Sequence, residues 1–281
     1  MSERPATRVI AIDGHPIEYR IEHRGSAAVL ILHGGHMSAR CRFGEETFLD
    51  AGHSVLVVSR PGYGRTALGA GPSAPEFAVR LASLCRRLGL SEITVVGISV
   101  GARTALTMAA FQSELVPRVI LMCPTSFRLW PDRRGRRIAY TVFAPGVERA
   151  TWGSLHRMLR QDPDKNLPGI VANLTTLDGR EAVRRLGPDA AKITEFLLRC
   201  QSSRGFRLDL RAPTDVTDHV GQPTLILATR NDGAVSFDHA EHLAATMRHA
   251  KLIEVDTPTH LLWMGEGSDQ TAAAIQSFLR L

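Results

Sequence analysis

Residues 97–101, which read G-I-S-V-G, constrain this 281-residue chain more than any other stretch. The β-branched run before them (91–96) predicts a buried strand, and the alanine-rich run after them (102–110) predicts a helix. A sharp strand-to-helix turn would lift Ser99 to the helix N-terminus, where free N–H groups favour negative charge. The motif therefore predicts a nucleophile. A five-residue match also arises by chance in a chain with 24 glycines, so the prediction depends on the surrounding elements.

Strand and helix signals alternate on both sides of this motif. Apolar runs without polar alternation, at 28–32 and 54–58, are typical of strands buried on both faces in a parallel sheet. Before them, 8–12 and 17–21 flank a glycine turn and predict a β-hairpin. The other predicted strands lie at 119–122, 223–228 and 251–255, and the predicted helices at about 43–51, 74–89, 100–113, 236–248 and 267–280. Repeated β-α units predict an α/β fold with a doubly wound, mostly parallel sheet flanked by helices.

Residues 127–212 differ from the rest of the chain. They have helical periodicity without a clear strand, five prolines interrupt them, and they hold 17 Lys and Arg against 9 Asp and Glu. A structureless loop of this length is uncommon in a compact domain. We therefore expect a helical insertion at 127–212 in a core formed by 1–126 and 213–281.

The formal net charge of +6 does not indicate a nucleic-acid partner. The positive excess lies within 127–212, only three of the basic residues are Lys, and no aromatic-interleaved basic motif or helix-turn-helix pattern accompanies it. A bias towards Arg in the composition explains the charge. We expect no nucleic-acid partner, and the sequence carries no signal for oligomeric state.

Neither export nor membrane insertion is expected. Residues 1–8 lack the apolar core of a signal peptide, and no run of 18 uninterrupted apolar residues occurs. The cysteines are far apart and form no C-x-x-C pair, which is typical of free thiols; they are Cys41, Cys85, Cys123 and Cys200. These features predict a cytoplasmic protein.

A serine hydroxyl needs a base, and the base needs an orienting acid. His260 and Asp232 each follow one of the last two predicted strands, where side chains meet at the carboxyl edge of a parallel sheet. Asp238 and Asp256 are the alternatives for the acid, and Asp256 lies in the same predicted loop as His260.

Further motifs follow other predicted strands in a recognisable order. They are D-G at 13–14 in the hairpin turn, H-G-G at 33–35 and R-P-G-Y-G-R-T at 60–66. With these motifs and the order Ser99, Asp232, His260, the chain resembles the α/β-hydrolase fold superfamily. The resemblance is to its serine-nucleophile branch with a helical cap, which includes esterases and lactonases, and it covers almost the whole chain outside 127–212.

The resemblance implies a role for each matching residue. Ser99 would be the nucleophile, His260 the general base, and Asp232 the acid that orients the imidazole. The backbone N–H groups of Gly35 and Val100 would form the oxyanion hole. Residues 127–212 would form a helical cap over the substrate pocket.

His36 departs from the family pattern, which commonly has a glycine or another small residue there. We predict that it binds substrate, and a side chain that points to solvent is the alternative. His33 is expected to anchor its own loop. No carboxylate or cysteine accompanies the H-x-x-H spacing of these two histidines, so no metal site is expected, and the implied chemistry needs no cofactor.

The resulting prediction is a serine hydrolase that cleaves a small-molecule carboxylic ester or lactone through an acyl-enzyme. Carbon–carbon bond hydrolases, thioesterases and acyltransferases share the scaffold and stay open as alternatives. The Gly-Pro that usually follows the histidine-glycine motif in carbon–carbon hydrolases is replaced by His36-Met37, which disfavours that group. From another class, a hydrolase-like ligand receptor or a non-hydrolytic cyclase also fits the sequence.

Overall fold

The structure is a computed structural model that describes residues 6–144, 146–211 and 213–280. Most of the N-terminal segment on which the expectation of no signal peptide rests lies outside these residues. Within them, no helix combines the length and apolar character needed to cross a membrane.

Eight strands of the described chain form a single sheet, which confirms the predicted fold class. They are β1 (Arg8–Ile12), β2 (His15–Glu22), β3 (Ala28–Leu32), β4 (Ser54–Val58), β5 (Ile93–Ile98), β6 (Arg118–Met122), β7 (Thr224–Ala228) and β8 (Ala250–Glu254). Their order across the sheet is β1-β2-β4-β3-β5-β6-β7-β8. β2 pairs antiparallel with both β1 and β4, and all other neighbouring strands are parallel, so β3 to β8 all present their carboxyl ends at one edge.

β2 and β5 differ most from the sequence prediction at their ends, and β6, β7 and β8 are shifted by one residue. β5 continues to Ile98 because Gly97 and Ile98 pair with the last two residues of β6, which carries the strand up to Ser99. β2 begins at His15, so the hairpin turn is shorter than predicted. Asp13 and Gly14 both have positive φ, the geometry of the two-residue turns that suit twisted hairpins.

Helices cover both faces of the sheet. They are α1 (Glu46–Asp50), α2 (Ala74–Arg87), α3 (Gly101–Phe111), α10 (Asp238–Thr246) and α11 (Ser268–Leu279). Alternate residues of β3 and β4 belong to two separate apolar clusters, one with α2, α3 and α10 and the other with α1 and α11. This two-sided burial explains why the two strands are apolar throughout.

Between β6 and β7 the described chain is helical, and residues 127–211 are called the helical segment below. Its α-helices are α4 (Arg133–Val142), α5 (Val147–Gln161), α6 (Pro163–Val171), α7 (Gly179–Leu186), α8 (Ala190–Leu197) and α9 (Gly205–Asp209). Short 3-10 helices lie at Leu68–Ala70, Gly187–Asp189 and Thr217–His219.

The helical segment lies against the carboxyl edge of the sheet. Backbone hydrogen bonds join it to loops that follow four strands, through the pairs Gln201–His36, Gly205–Gly62, Thr176–Asn231 and His260–Leu174. The functional side chains predicted at those strand ends therefore lie beneath this segment.

Candidate active site

Ser99 occupies the sharp turn between β5 and α3. Its φ is 54°, in the left-handed region that non-glycine residues rarely adopt, and its N–H donates to the carbonyl of Met122 at 2.9 Å. Both flanking glycines are required for this turn. A Cβ at Gly97 would lie 2.6 Å from the Cα of Ala102, and one at Gly101 would collide with carbonyl oxygens at the end of β3. The serine is buried, with 5% of its surface exposed.

Asp232 and His260 are brought together as a buried pair. His260 Nδ1 lies 2.6 Å from Asp232 Oδ2, and each residue is at most 5% exposed. The other carboxylate oxygen, Oδ1, accepts the N–H groups of Ala234 at 2.7 Å and Val235 at 2.9 Å. These bonds fix the orientation of the carboxylate. Because the carboxylate accepts a hydrogen bond from Nδ1–H, Nε2 of His260 is the nitrogen left to act as a base.

The helical segment holds the loops that carry this pair. The N–H of His260 donates to the carbonyl of Leu174 at 2.8 Å, and Thr175 forms an isolated β-bridge with Asp232. Thr175 Oγ1 donates to the carbonyl of Pro258. The pair is thus fixed by strand ends below it and by the chain at 174–175 above it.

Of the two hydrogen bonds in the predicted relay, the described residues form one, between Asp232 and His260. The alternative acids have other surroundings. Asp256 is exposed and forms an ion pair with Arg185 at 3.0 Å, and Asp238 begins α10. His260 therefore has Asp232 as its carboxylate partner.

The loop that follows β3 is organised by two side chains, His33 and Arg60. His33 Nε2 accepts the N–H of Arg60 at 2.9 Å, so Nδ1 carries the proton and donates to the carbonyl of Gly34 at 2.7 Å. Burial, together with the positive charge of Arg60, lowers the pKa of His33 well below its usual value and keeps the ring neutral. Arg60 itself donates to the carbonyls of His33 at 2.7 Å and Gly34 at 3.1 Å.

These contacts determine where the next N–H group points. The carbonyl of Gly34 and the N–H of Gly35 belong to one planar trans peptide and point in opposite directions, so fixing one fixes the other. A Cβ built on Gly34 would lie 3.0 Å from Ser99 Cβ, which places this peptide beside the nucleophile candidate. Within the described chain, neither the Gly35 N–H nor the Val100 N–H donates a hydrogen bond.

A buried ion pair from the helical segment holds Arg60. The carboxylate of Asp209, the last residue of α9, accepts from Arg60 Nη1 at 2.5 Å and Nη2 at 2.8 Å, and from the Tyr63 hydroxyl at 2.5 Å. Burial opposes the charge of Arg60, but the adjacent Asp209 outweighs it and raises the pKa of Arg60. Burial and the same carboxylate raise the pKa of Tyr63 well above its usual value.

His36 lies against the helical segment. Its ring centroid is 4.0 Å from that of Phe206 and 4.6 Å from that of Phe143, and Nδ1 is 2.7 Å from the Ser202 hydroxyl. Trp152 Nε1 also donates to Ser202 at 2.7 Å, and an indole can only donate, so the hydroxyl hydrogen is free for His36 Nδ1. Burial lowers the pKa of His36 to about 4. Substrate binding by His36 stays a prediction, and these contacts fit a residue that fastens its loop.

One group of described residues could supply several metal ligands. Ligand atoms of Cys123, Asp232 and His260 lie within 4.8 Å of one another. Burial raises the pKa of the Cys123 thiol well above its usual value, and the adjacent Asp232 raises it further. Zinc binds the thiolate form, and two of the three ligand groups already bond to each other. The donor set therefore fits a proton relay better than a metal, and the absence of a metal and a cofactor stays a prediction.

Sequence reasoning missed two residues that the structure places at this site. Asp209 and Ser202 are separated by more than a hundred residues from the groups they contact, Arg60 and His36, and no local pattern joins them. Cys123 follows β6 directly, a position from which the sequence allows it to lie near the site although a small buried hydrophobe is the favoured interpretation, and the structure places it beside Asp232.

Comparisons with known proteins identify the fold family. A family model described as alpha/beta hydrolase fold matches residues 27–266. The chain is 26% identical over 276 residues to the "Uncharacterized hydrolase YcgS" of Bacillus subtilis (strain 168), a match that covers 96% of this chain and 97% of that protein.

Solved structures show the same fold. An alpha/beta hydrolase fold protein from Nakamurella multipartita has a TM-score of 0.81 at 22% identity, covering 98% of this chain and 99% of that one. The enol-lactonase from Burkholderia xenovorans LB400 has a TM-score of 0.71 at 18% identity, covering 98% of this chain and 100% of that one.

Proposed function

The chain belongs to the α/β-hydrolase fold family, and from this premise we propose that it is a serine hydrolase that cleaves a small-molecule carboxylic ester or lactone. The observation that carries the proposal is the buried 2.6 Å hydrogen bond between His260 and Asp232, on loops at the same sheet edge as Ser99. The similar proteins include one named a hydrolase and one named an enol-lactonase, which fits cleavage of an acyl–oxygen bond.

The proposed reaction uses the chain's own groups at each step. His260 Nε2 takes the proton of Ser99 while Oγ bonds to the carbonyl carbon, and Asp232 stabilises the imidazolium. The N–H groups of Gly35 and Val100 stabilise the oxyanion. The bond to the leaving oxygen then breaks, and His260 returns the proton to that oxygen.

Deacylation repeats the sequence with water. His260 takes a proton from water, the resulting hydroxide attacks the acyl carbon, and the bond to Ser99 Oγ breaks with that oxygen recovering the proton. The products are a carboxylic acid and an alcohol, or one hydroxy acid when the substrate is a lactone. In unliganded enzymes, catalytic hydrogen bonds are often long, so the Ser99–His260 bond is expected to form when substrate binds.

The proposal also assigns residues 127–212 to a cap, with 1–126 and 213–281 as the catalytic core. Support comes from the hydrogen bonds between the helical segment and the loops that follow β3, β4, β7 and β8. A cap in this position would exclude water and select the substrate, and its residues rather than the core would set acyl length.

The decisive variant is Ser99→Ala. We expect multiple turnover of p-nitrophenyl acetate by the wild-type protein and loss of that turnover in the variant, because the nucleophile is gone. The thermal midpoint should stay near that of the wild-type protein. Serine and alanine both carry a Cβ, so they have a similar cost in the left-handed backbone conformation at position 99. Ser203→Ala is the matched control, because Ser203 also has a positive φ (46°) and is not among the proposed catalytic residues.

Each other outcome overturns a defined part of the proposal. Turnover retained in Ser99→Ala would place the chemistry elsewhere. Labelling of Ser99 by a fluorophosphonate with only a single turnover would favour a ligand receptor. A panel of esters, lactones, thioesters and dienones then separates ester or lactone cleavage from thioester and carbon–carbon bond cleavage.

A further inference from the structure

A groove with a volume of about 430 Å³ lies beside α3. Its walls come from α3, the start of α2, the residues after β4 and the chain at 208–211 and 213–216. Val100 belongs to its lining, whereas Ser99, Asp232 and His260 do not. The proposed hydrolase reaction leaves this groove without a use.

Arg103 places a buried positive charge in the groove wall. The residue is 6% exposed, and no carboxylate of the described residues lies within ion-pair distance of its guanidinium. Three of its five N–H groups donate to the carbonyls of Ser126, Arg128 and Asp209. One N–H on each terminal nitrogen is therefore left over.

No carboxylate of the described residues pairs directly with this charge, although Asp209 attracts it from beyond ion-pair distance. The Asp209 carboxylate is committed to Arg60 and Tyr63, and Arg211, also in the lining, adds a further cation. Burial lowers the pKa of Arg103 to about 10, a value at which the side chain is still charged at neutral pH. A buried guanidinium without an anion is costly, so an anion that reaches it gains more than it would at an exposed site.

The rest of the wall is mostly apolar. It includes Pro61, Pro72, Pro75, Phe77, Phe111 and Val216. From Arg103 to Phe111, α3 advances about 12 Å at about 1.5 Å per residue, which suits a medium-length aliphatic chain. The groove thus joins a cationic end at Arg103 and Arg211 to an elongated apolar surface.

We propose that this groove is a second binding site, for an amphiphilic carboxylate whose head group pairs with Arg103 and whose aliphatic tail lies along α3 towards Phe111. The class is set by two features together: the unpaired guanidinium selects an anion, and the apolar wall selects a tail. A neutral alcohol of equal length has no negative charge to pair with the guanidinium, and the positive charge of an alkylammonium ion is repelled by it.

The test compares three probes of equal chain length on the full-length protein by isothermal titration calorimetry. Octanoate should bind at least about tenfold more tightly than 1-octanol or octylammonium, since hydrogen bonds to charged groups contribute a tenfold effect or more. Equal affinities for the three, or no octanoate binding, overturn the proposal without any variant.

Variants then locate the site. Arg103→Met removes the charge, and Thr104→Phe fills the groove from a half-buried wall position; each should weaken octanoate binding by about tenfold or more. Arg87→Met is the matched control, because Arg87 bonds a single backbone carbonyl from an exposed position at the end of α2.

Two further results separate this site from the catalytic one. Ser99→Ala should bind octanoate as the wild-type protein does, and octanoate should remain bound after Ser99 is labelled with a fluorophosphonate. Unchanged affinity in folded Arg103→Met and Thr104→Phe, or loss of binding on labelling, would place octanoate elsewhere. If Arg103→Met does not fold, as judged by circular dichroism, Thr104→Phe and the probe comparison decide.

Discussion

The two halves of the candidate active site are held in different ways. The carboxylate of Asp232 is oriented by N–H groups two and three residues away in its own loop, and it orients His260 directly. The 33–36 loop instead depends on Arg60, which is fixed by a carboxylate 149 residues further along the chain. The Asp232 carboxylate is thus oriented within its own loop, whereas the peptide that carries the Gly35 N–H depends on an ion pair from the helical segment.

This difference predicts how each half fails. Loss of the Asp232 charge should remove activity and leave the fold intact, because N–H groups of its own loop hold that side chain in place. Loss of the Asp209 carboxylate, which supports the 33–36 loop through Arg60, should lower stability and activity together, because it leaves the charge of Arg60 buried without a partner.

The largest expected effect is on the relay. Asp232→Asn should lower kcat by about 10⁴-fold, because an amide cannot hold the Nδ1–H tautomer of His260 as a carboxylate does. Steady-state kinetics on p-nitrophenyl acetate measure the effect. Asp256→Asn is the control in the neighbouring loop, where an exposed carboxylate should change kcat by less than about twofold. Comparable losses in the two variants would show that the pairing with His260 is irrelevant.

The next-largest effect tests whether Asp209 supports the 33–36 loop through Arg60. Asp209→Asn should destabilise the protein by about 3–5 kcal/mol because it leaves Arg60 buried and unpaired. It should also lower kcat by about 10- to 100-fold with little change in KM, less than complete loss of an oxyanion donor causes. Urea unfolding and kinetics on the same samples provide both values.

Two comparisons sharpen the Asp209 result. Asp209→Glu keeps the charge and should recover part of the kcat. Glu266→Gln removes an exposed ion pair with Arg185 in the helical segment and should cost less than about 1 kcal/mol. A fully active Asp209→Asn protein would contradict the dependence of the oxyanion donors on this carboxylate.

A smaller effect concerns His36 and pH. Its pKa is about 4 in the folded chain and near 6.5 when unfolded, so acid favours the unfolded state. The stabilisation that comes from burying His36 in its neutral form is complete above pH 6.5 and is lost as the pH falls towards 4. His36→Phe keeps the aromatic contacts and removes the titration, so its stability loss between pH 7 and pH 4.5 should be smaller by roughly 1–3 kcal/mol.

The His36 measurement is a difference between two proteins across pH. His33 and His239, whose pKa values are also lowered, titrate in both proteins and cancel in the subtraction. The charged groups that act on His36, Asp209 and Arg60, are likewise present in both. Parallel pH profiles for wild type and His36→Phe would show that the ring is not held neutral by the helical segment.

The smallest expected effect is at Cys123, beside Asp232. Cys123→Ala removes a weak thiol donor while the two backbone donors and His260 keep the carboxylate in place. We expect kcat to fall by less than about tenfold, within the range of one modest hydrogen bond. A loss as large as that of Asp232→Asn would mean that the relay is not held by its own loop.

The sequence predicts the Asp232–His260 pair better than it predicts the support of the 33–36 loop. Asp232 and His260 each follow a strand with a clear apolar signal, so their meeting at one sheet edge could be anticipated. Asp209 lies in an arginine-rich helical stretch, where nothing local distinguishes a buried anion from a solvated one. The aromatic surroundings of His36 likewise come from helices whose packing the periodicity does not determine.

The close approach at Gly101 has a consequence for motion. A side chain there would strike the carbonyl oxygens of Leu32 and His33, so the first turn of α3 rests directly on the end of β3. Ser99 and Val100, at the start of α3, are therefore held directly against the end of the strand that leads into the 33–36 loop. Sliding of α3 along β3 would bring backbone atoms into collision, so we expect movement at the candidate site to come from side chains and from the helical segment.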